Sequence, residues 1–188
     1  MVNGNILCNP FFFKYILLEC EYLLPTTGGS MHSSSLSNYR QSSPTELREV
    51  LETAASMLAA KYARHGSFTN PEVSKQYLQM KLAHYDKEVF GAMLLDNQNR
   101  LITFEVLFTG TIDAASIYPR EVVKVALAAN AAAVIFGHNH PSGVPEPSQS
   151  DRRITTRLSD ALALIDIRVL DHIVVGESCV SFAERGWL

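Results

Sequence analysis

The sequence predicts a mixed α/β fold of the α+β kind, with one central β-sheet flanked by helices. Three observations predict it. Apolar residues recur at helical spacing in segments that begin near residues 44, 71, 119 and 149. Between these lie apolar runs of strand length, at 89–95, 101–108, 132–136, 167–175 and 179–182. Turn-forming residues separate most of them, so the two kinds of element alternate along the chain.

Taken in order, the first helix is announced by Ser43 as a cap, Pro44 at the first helical position and Glu46 completing a capping box. Leu47, Leu51, Ala54, Ala55 and Leu58 then recur on one face, and Gly66 ends the helix. A second helix starts at Asn70 and Pro71 and runs to about His84, with Val73, Tyr77, Met80 and Leu82 facing inward. Val89–Leu95 is a nearly continuous apolar run. Asp96, Asn97, Gln98 and Asn99 supply turn chemistry, and Leu101–Phe108 returns as the second arm of a hairpin. Pro119–Ala129 reads as a helix that buries Val122, Val123, Ala126 and Leu127. Ala132–Phe136 is a short buried strand stopped by Gly137. Residues 149–165 form a helix with an apolar stripe of Ile154, Leu158, Ala161, Leu162 and Ile165. Ile167–Val175 and Cys179–Phe182 close the sheet, and there is no internal repeat.

The bulk properties narrow the function. With 188 residues and 47% hydrophobic content the chain has ample material for one core. Sixteen basic against 19 acidic residues give a net charge of -3, which provides no general attraction to nucleic acid or to an anionic membrane. Arg152, Arg153 and Arg157 are the one basic cluster, and they read as a solvated helix face. Cys8, Cys20 and Cys179 are odd in number and scattered, which is no disulfide framework and fits a reducing, cytoplasmic setting. The apolar stretch 11–24 is short and is broken by Lys14, Glu19 and Glu21, so no membrane span is expected. Residues 1–42 differ from the rest, with a Phe11–Phe13 cluster and a Gly/Ser-rich stretch at 26–37. They are expected to be an extension outside the folded part, with Met31 as an alternative start.

The chemistry concentrates between Gly137 and Asp151. His138 and His140 are two apart at the end of a strand, so their imidazoles project to the same side and can converge on one ion. Asp151 returns from the first turn of the next helix, after a loop stiffened by Pro141, Pro145 and Pro147. Two nitrogens and one carboxylate oxygen suit zinc and leave a coordination position for water. Such an ion lowers the pKa of bound water from about 15.7 to about 7. A nearby carboxylate can then move the proton, and Glu88 and Glu105 are the upstream candidates. Glu88 is preferred because it opens the first core strand. Ser148 can donate a hydrogen bond to a developing oxyanion.

On the residues alone other readings stay open. The histidine pair can be structural. Ser148-x-x-Asp151 is itself a capping-box pattern, and Glu88 can be an edge-strand charge. His172 reads as packing or hydrogen-bonding within a closing strand, and His65 and His84 as helix-end residues. Trp187 and Phe182 read as core or interface residues.

His138-x-His140-Pro141, six residues, Ser148, two residues and Asp151 together resemble the JAMM motif of the JAB/MPN metalloprotease superfamily. Lys87-Glu88-Val89-Phe90-Gly91 looks like the position of that family's upstream glutamate. Thr109–Thr111, Tyr118–Val122, Asn130–Ile135, His138–Gly143 and Asp171–Gly176 look like blocks of its RadC branch, so the resemblance spans about Asn70–Leu188. It implies a cytidine-deaminase-like JAB/MPN fold over residues 67–188, preceded by an accessory helix at 43–66. It implies one zinc ion per chain on His138, His140 and Asp151, with Glu88 as a non-ligating acid/base and Ser148 stabilising a tetrahedral intermediate. The implied activity is metallopeptidase-like hydrolysis of a peptide or isopeptide bond in a peptide or protein substrate. The alternatives are a DNA-associated repair or mobile-element accessory protein and a non-catalytic scaffold. Full-length RadC proteins also carry a helix-hairpin-helix region, which this sequence does not show, so it resembles a shorter form.

Overall fold

A computed structural model describes residues 44–65, 67–110 and 117–188. Ser43 and the expected N-terminal extension lie outside the described residues. Four helices and five strands follow in the order α1 (Pro44–His65), α2 (Pro71–Leu82), β1 (Val89–Leu95), β2 (Leu101–Thr109), α3 (Pro119–Ala128), β3 (Ala133–Asn139), α4 (Gln149–Ala163), β4 (Arg168–Val175) and β5 (Cys179–Ser181).

The strands form one mixed sheet in the order β2-β1-β3-β4-β5. β1 runs antiparallel to both β2 and β3, and β3 is parallel to β4. A parallel pair needs a crossover, and α4 supplies it. β1 and β3 are buried along their whole length, because helices cover both faces of the sheet. On one face Leu58, Tyr77, Leu78 and Leu82 of α1 and α2 pack on Met93, Ile135 and Ile173. On the other, Val122 and Ala126 of α3 and Ile154, Leu158 and Leu162 of α4 pack on Phe90, Leu94, Val134 and Phe136.

Local chemistry explains the ends of the elements. The Asn70 side chain accepts the Glu72 N–H at 3.0 Å and Pro71 follows it, so α2 starts where expected. In the β1–β2 turn, Asp96 Oδ1 accepts the N–H groups of Gln98 and Arg100, and Asn99 takes a left-handed φ of 58°.

Two expectations are corrected. Gly137 does not stop β3, which runs on through His138 to Asn139. A Cβ on Gly137 would come within 2.8 Å of Leu78, so this glycine lets α2 approach the strand closely. Leu127 is 57% exposed rather than buried, because α3 meets the sheet through the narrower face of Val122 and Ala126. Among the described residues no helix is long and apolar enough to cross a membrane.

Candidate metal centre

The carboxyl end of β3 points into the space below the start of α4, the place where open α/β sheets hold ligands. Three side chains meet there. His138 Nε2 lies 3.0 Å from His140 Nε2, 3.5 Å separates it from Asp151 Oδ1, and His140 Nε2 is 3.8 Å from Asp151 Oδ2. These three residues form a group that can hold a metal ion. Zinc bonds of about 2.0–2.1 Å at tetrahedral angles place ligand atoms roughly 3.3 Å apart, and the observed separations straddle that value. The donor set and its spacing therefore fit a zinc-class ion.

Each of the three candidate ligands is held by a different device. His140 Nδ1 is 2.8 Å from the Val144 carbonyl oxygen. A carbonyl only accepts, so the imidazole proton sits on Nδ1 and the Nε2 lone pair faces the group. The loop carrying Val144 is itself fixed. Gly143 adopts a φ of 82°, its carbonyl accepts the Glu177 N–H at 2.7 Å, and a Cβ on Gly176 would lie 2.4 Å from that carbonyl oxygen. Glu146 and Arg185 add a two-point ion pair at 2.6 and 2.8 Å.

Asp151 stands in the first turn of α4. Its Oδ2 accepts the Ser148 N–H at 2.7 Å, while Ser148 Oγ accepts the Asp151 N–H at 3.1 Å. The capping box is thus complete, and it aims the other carboxylate oxygen at His138. Ser148 Oγ spends a lone pair on this cap, which leaves its hydroxyl hydrogen as a donor.

His138 is fully buried, and its Nδ1 is 2.8 Å from His172 Nε2. His172 Nδ1 in turn is 2.5 Å from Thr155 Oγ1. Burial pushes the His138 imidazole down to about 4, against the pull of Asp151, and drives His172 well below its ordinary value. Both rings are therefore neutral at physiological pH. His172, read from the sequence as an ordinary closing-strand residue, belongs to the surroundings of the centre.

Glu88 immediately precedes β1 and is half-buried, with its carbonyl accepting the Gly110 N–H at 2.8 Å. The β1–β3 register pairs Phe90 with His138. Continued by one same-face step, it sets Glu88 level with His140. Glu105 lies on the edge strand opposite Ala92, in the row of Phe136, and is exposed. The geometry brings Glu88 to the end of the sheet that holds the histidines and leaves Glu105 away from it.

Asn139 is a residue the sequence did not single out. Its side chain accepts the Val89 N–H at 2.7 Å and donates to the carbonyls of Tyr85 and Lys87 at 3.1 and 3.0 Å. It clamps the segment that carries Glu88. The signal was an asparagine, a poor strand former, inside a buried strand between two histidines. Arg152, Arg153 and Arg157 are exposed on α4 as expected, with Arg152 stacked 4.2 Å over the Trp187 ring.

The chain is similar in sequence to known proteins over the region that carries these residues. A family model described as a RadC-like JAB domain matches residues 68–187. A UPF0758 protein of Vibrio cholerae is 61% identical over 152 residues, covering 81% of this chain and 97% of its own length. A UPF0758 protein of Vibrio vulnificus is 59% identical over 149 residues, covering 79% of this chain and 66% of the relative. One from Cellvibrio japonicus is 58% identical over 144 residues, covering 76% and 64%.

Proposed function

The chain belongs to the RadC family of JAB-domain proteins, and from that premise we propose that it is a zinc-dependent hydrolase of the JAMM type acting on a peptide or isopeptide bond. The observation that carries the reading is the convergence of two imidazole nitrogens and a carboxylate, 3.0 to 3.8 Å apart, at the end of the sheet. His138, His140 and Asp151 would hold the ion, three protein ligands being the number that catalytic zinc sites use. A bound zinc supplies a Lewis acid and brings the pKa of a coordinated water to about 7.

The remaining chemistry falls to the chain. Glu88, level with His140 in the β1–β3 register and on the segment that Asn139 clamps, takes the proton from the attacking water and passes it to the leaving amine. Such proton transfer contributes roughly 10²- to 10⁴-fold. The Ser148 hydroxyl, fixed by its cap to Asp151, donates to the oxyanion that develops on the scissile carbonyl.

Elemental analysis beside turnover of a quenched fluorogenic peptide library tests these roles. Wild-type protein should carry about one zinc per chain, and Asp151→Ala none. Glu88→Gln should keep the zinc and lose hydrolysis by the factor above. A zinc-free wild type, or an Asp151→Ala variant loaded like wild type, overturns the reading. Loss of zinc in Glu88→Gln overturns the division of roles.

A further inference from the structure

The hydrogen-bond chain behind His138 has a direction, and that direction can be worked out from its far end. Thr155 Oγ1 lies 2.6 Å from the Asp151 carbonyl oxygen, which only accepts, so the single hydroxyl proton of Thr155 goes there. Thr155 Oγ1 must then accept from His172, 2.5 Å away, which puts the His172 proton on Nδ1. His172 Nε2 is left with a lone pair and accepts from His138 Nδ1 at 2.8 Å. With its proton on Nδ1, His138 turns the lone pair of Nε2 toward His140 and Asp151. The opposite direction would place a proton on His138 Nε2 and leave it nothing to offer a cation.

We propose that Thr155 and His172 are positioning residues that fix His138 in its Nδ1–H form and so make it a ligand. The proposal rests on the metal reading above. Three further observations support it. Thr155 and His172 are 2% and 0% exposed, so water does not replace either partner. The rings packed around the chain are those of Phe90, Phe136 and Phe182, with centroids 5.4, 6.2 and 4.6 Å from that of His172. None of them accepts or donates in place of the chain. Finally, α4 carries both Asp151 and Thr155, one turn apart on the same face, so one helix supplies a ligand and orients another. Ligating histidines ordinarily rest on a carboxylate, a carbonyl or a water. His140 follows that pattern, and His138 uses a second imidazole instead.

Long-range ¹H–¹⁵N spectra of the metal-free wild type give the test without any mutation. Both His138 and His172 should show the Nδ1–H pattern, and an Nε2–H pattern for His138 overturns the proposal. Thr155→Val, which keeps the shape and removes the hydroxyl, should mix the two patterns. It should weaken zinc binding, measured against a chromophoric chelator, roughly 10- to 100-fold. Thr155→Ser should restore both. Unchanged patterns and unchanged zinc affinity in Thr155→Val also overturn the proposal. A wild type with the assigned patterns that takes up no zinc supports the hydrogen-bond chain and sinks the metallohydrolase reading instead, so the two failures are distinguishable.

Discussion

Asp151 and Asp171 are buried alike, at 3% and 4% exposure, and sit in surroundings that differ in one respect. Asp171, at the fourth position of β4, is saturated by its own chain. Its Oδ1 accepts the N–H groups of His172 and Ala183 at 2.7 and 3.0 Å, and its Oδ2 accepts the Ser181 hydroxyl at 2.6 Å. Asp151 receives a single N–H, that of Ser148, on Oδ2, and its Oδ1 and Oδ2 lie 3.5 and 3.8 Å from the Nε2 atoms of His138 and His140. The first carboxylate ties the β4–β5 end of the sheet together. The second retains capacity for a cation. Burial alone does not mark a functional acid; the count of donors around it does.

The same substitution at the two sites should therefore have opposite results. In Asp151→Asn the Ser148 N–H claims the amide oxygen and the NH₂ group, a donor only, faces the centre. The helix should persist while zinc affinity falls by at least about 100-fold, on the order of 3 kcal/mol. Equilibrium dialysis against a zinc buffer reads this, and retained affinity would erase the contrast. Asp171→Ala should leave zinc stoichiometry intact and cost roughly 3 kcal/mol of stability in urea, because its buried donors lose their acceptors. Asp171→Asn should be mild, within about 1 kcal/mol. The two backbone donors share Oδ1, which asparagine keeps, and the Ser181 hydroxyl can turn to accept from the new NH₂.

A pH series sharpens the last point. Burial holds the Asp171 carboxyl above its ordinary value of 3.8, against the donors that pull it down. The folded protein therefore keeps this proton to higher pH than the unfolded chain does. Its contribution to stability is complete below 3.8 and is lost as pH rises through the folded value. Asparagine has no such proton. The stability of Asp171→Asn relative to wild type should increase between about pH 3 and about pH 7, and a decrease would show that the donors outweigh burial.

What the sequence revealed of the centre was what lies close along the chain. His138, His140, Ser148 and Asp151 fall within fourteen residues, and strand alternation plus a capping box suffice to bring them together. The alternation of helices and strands was legible for the same reason. His172 was not, because its partner is 34 residues away. Their meeting depends on β3 lying beside β4 with Phe136 opposite His172, a pairing that no local pattern encodes. Thr155 was not singled out either, because nothing local marks it and its partner His172 is 17 residues away. Gly137 was misread because a glycine that admits a neighbouring helix and a glycine that stops a strand look alike in sequence.

At Gly143 and Gly176 the proline-rich loop crosses the β4–β5 turn backbone against backbone, with no room for a side chain between them. Lifting the loop from the turn would break the Glu177 N–H bond to the Gly143 carbonyl and open this close backbone packing. A polypeptide substrate of the kind proposed above would meet this rim on its way to the centre. Val144 and Glu146 are among its exposed residues, the ones such a substrate would have to fit.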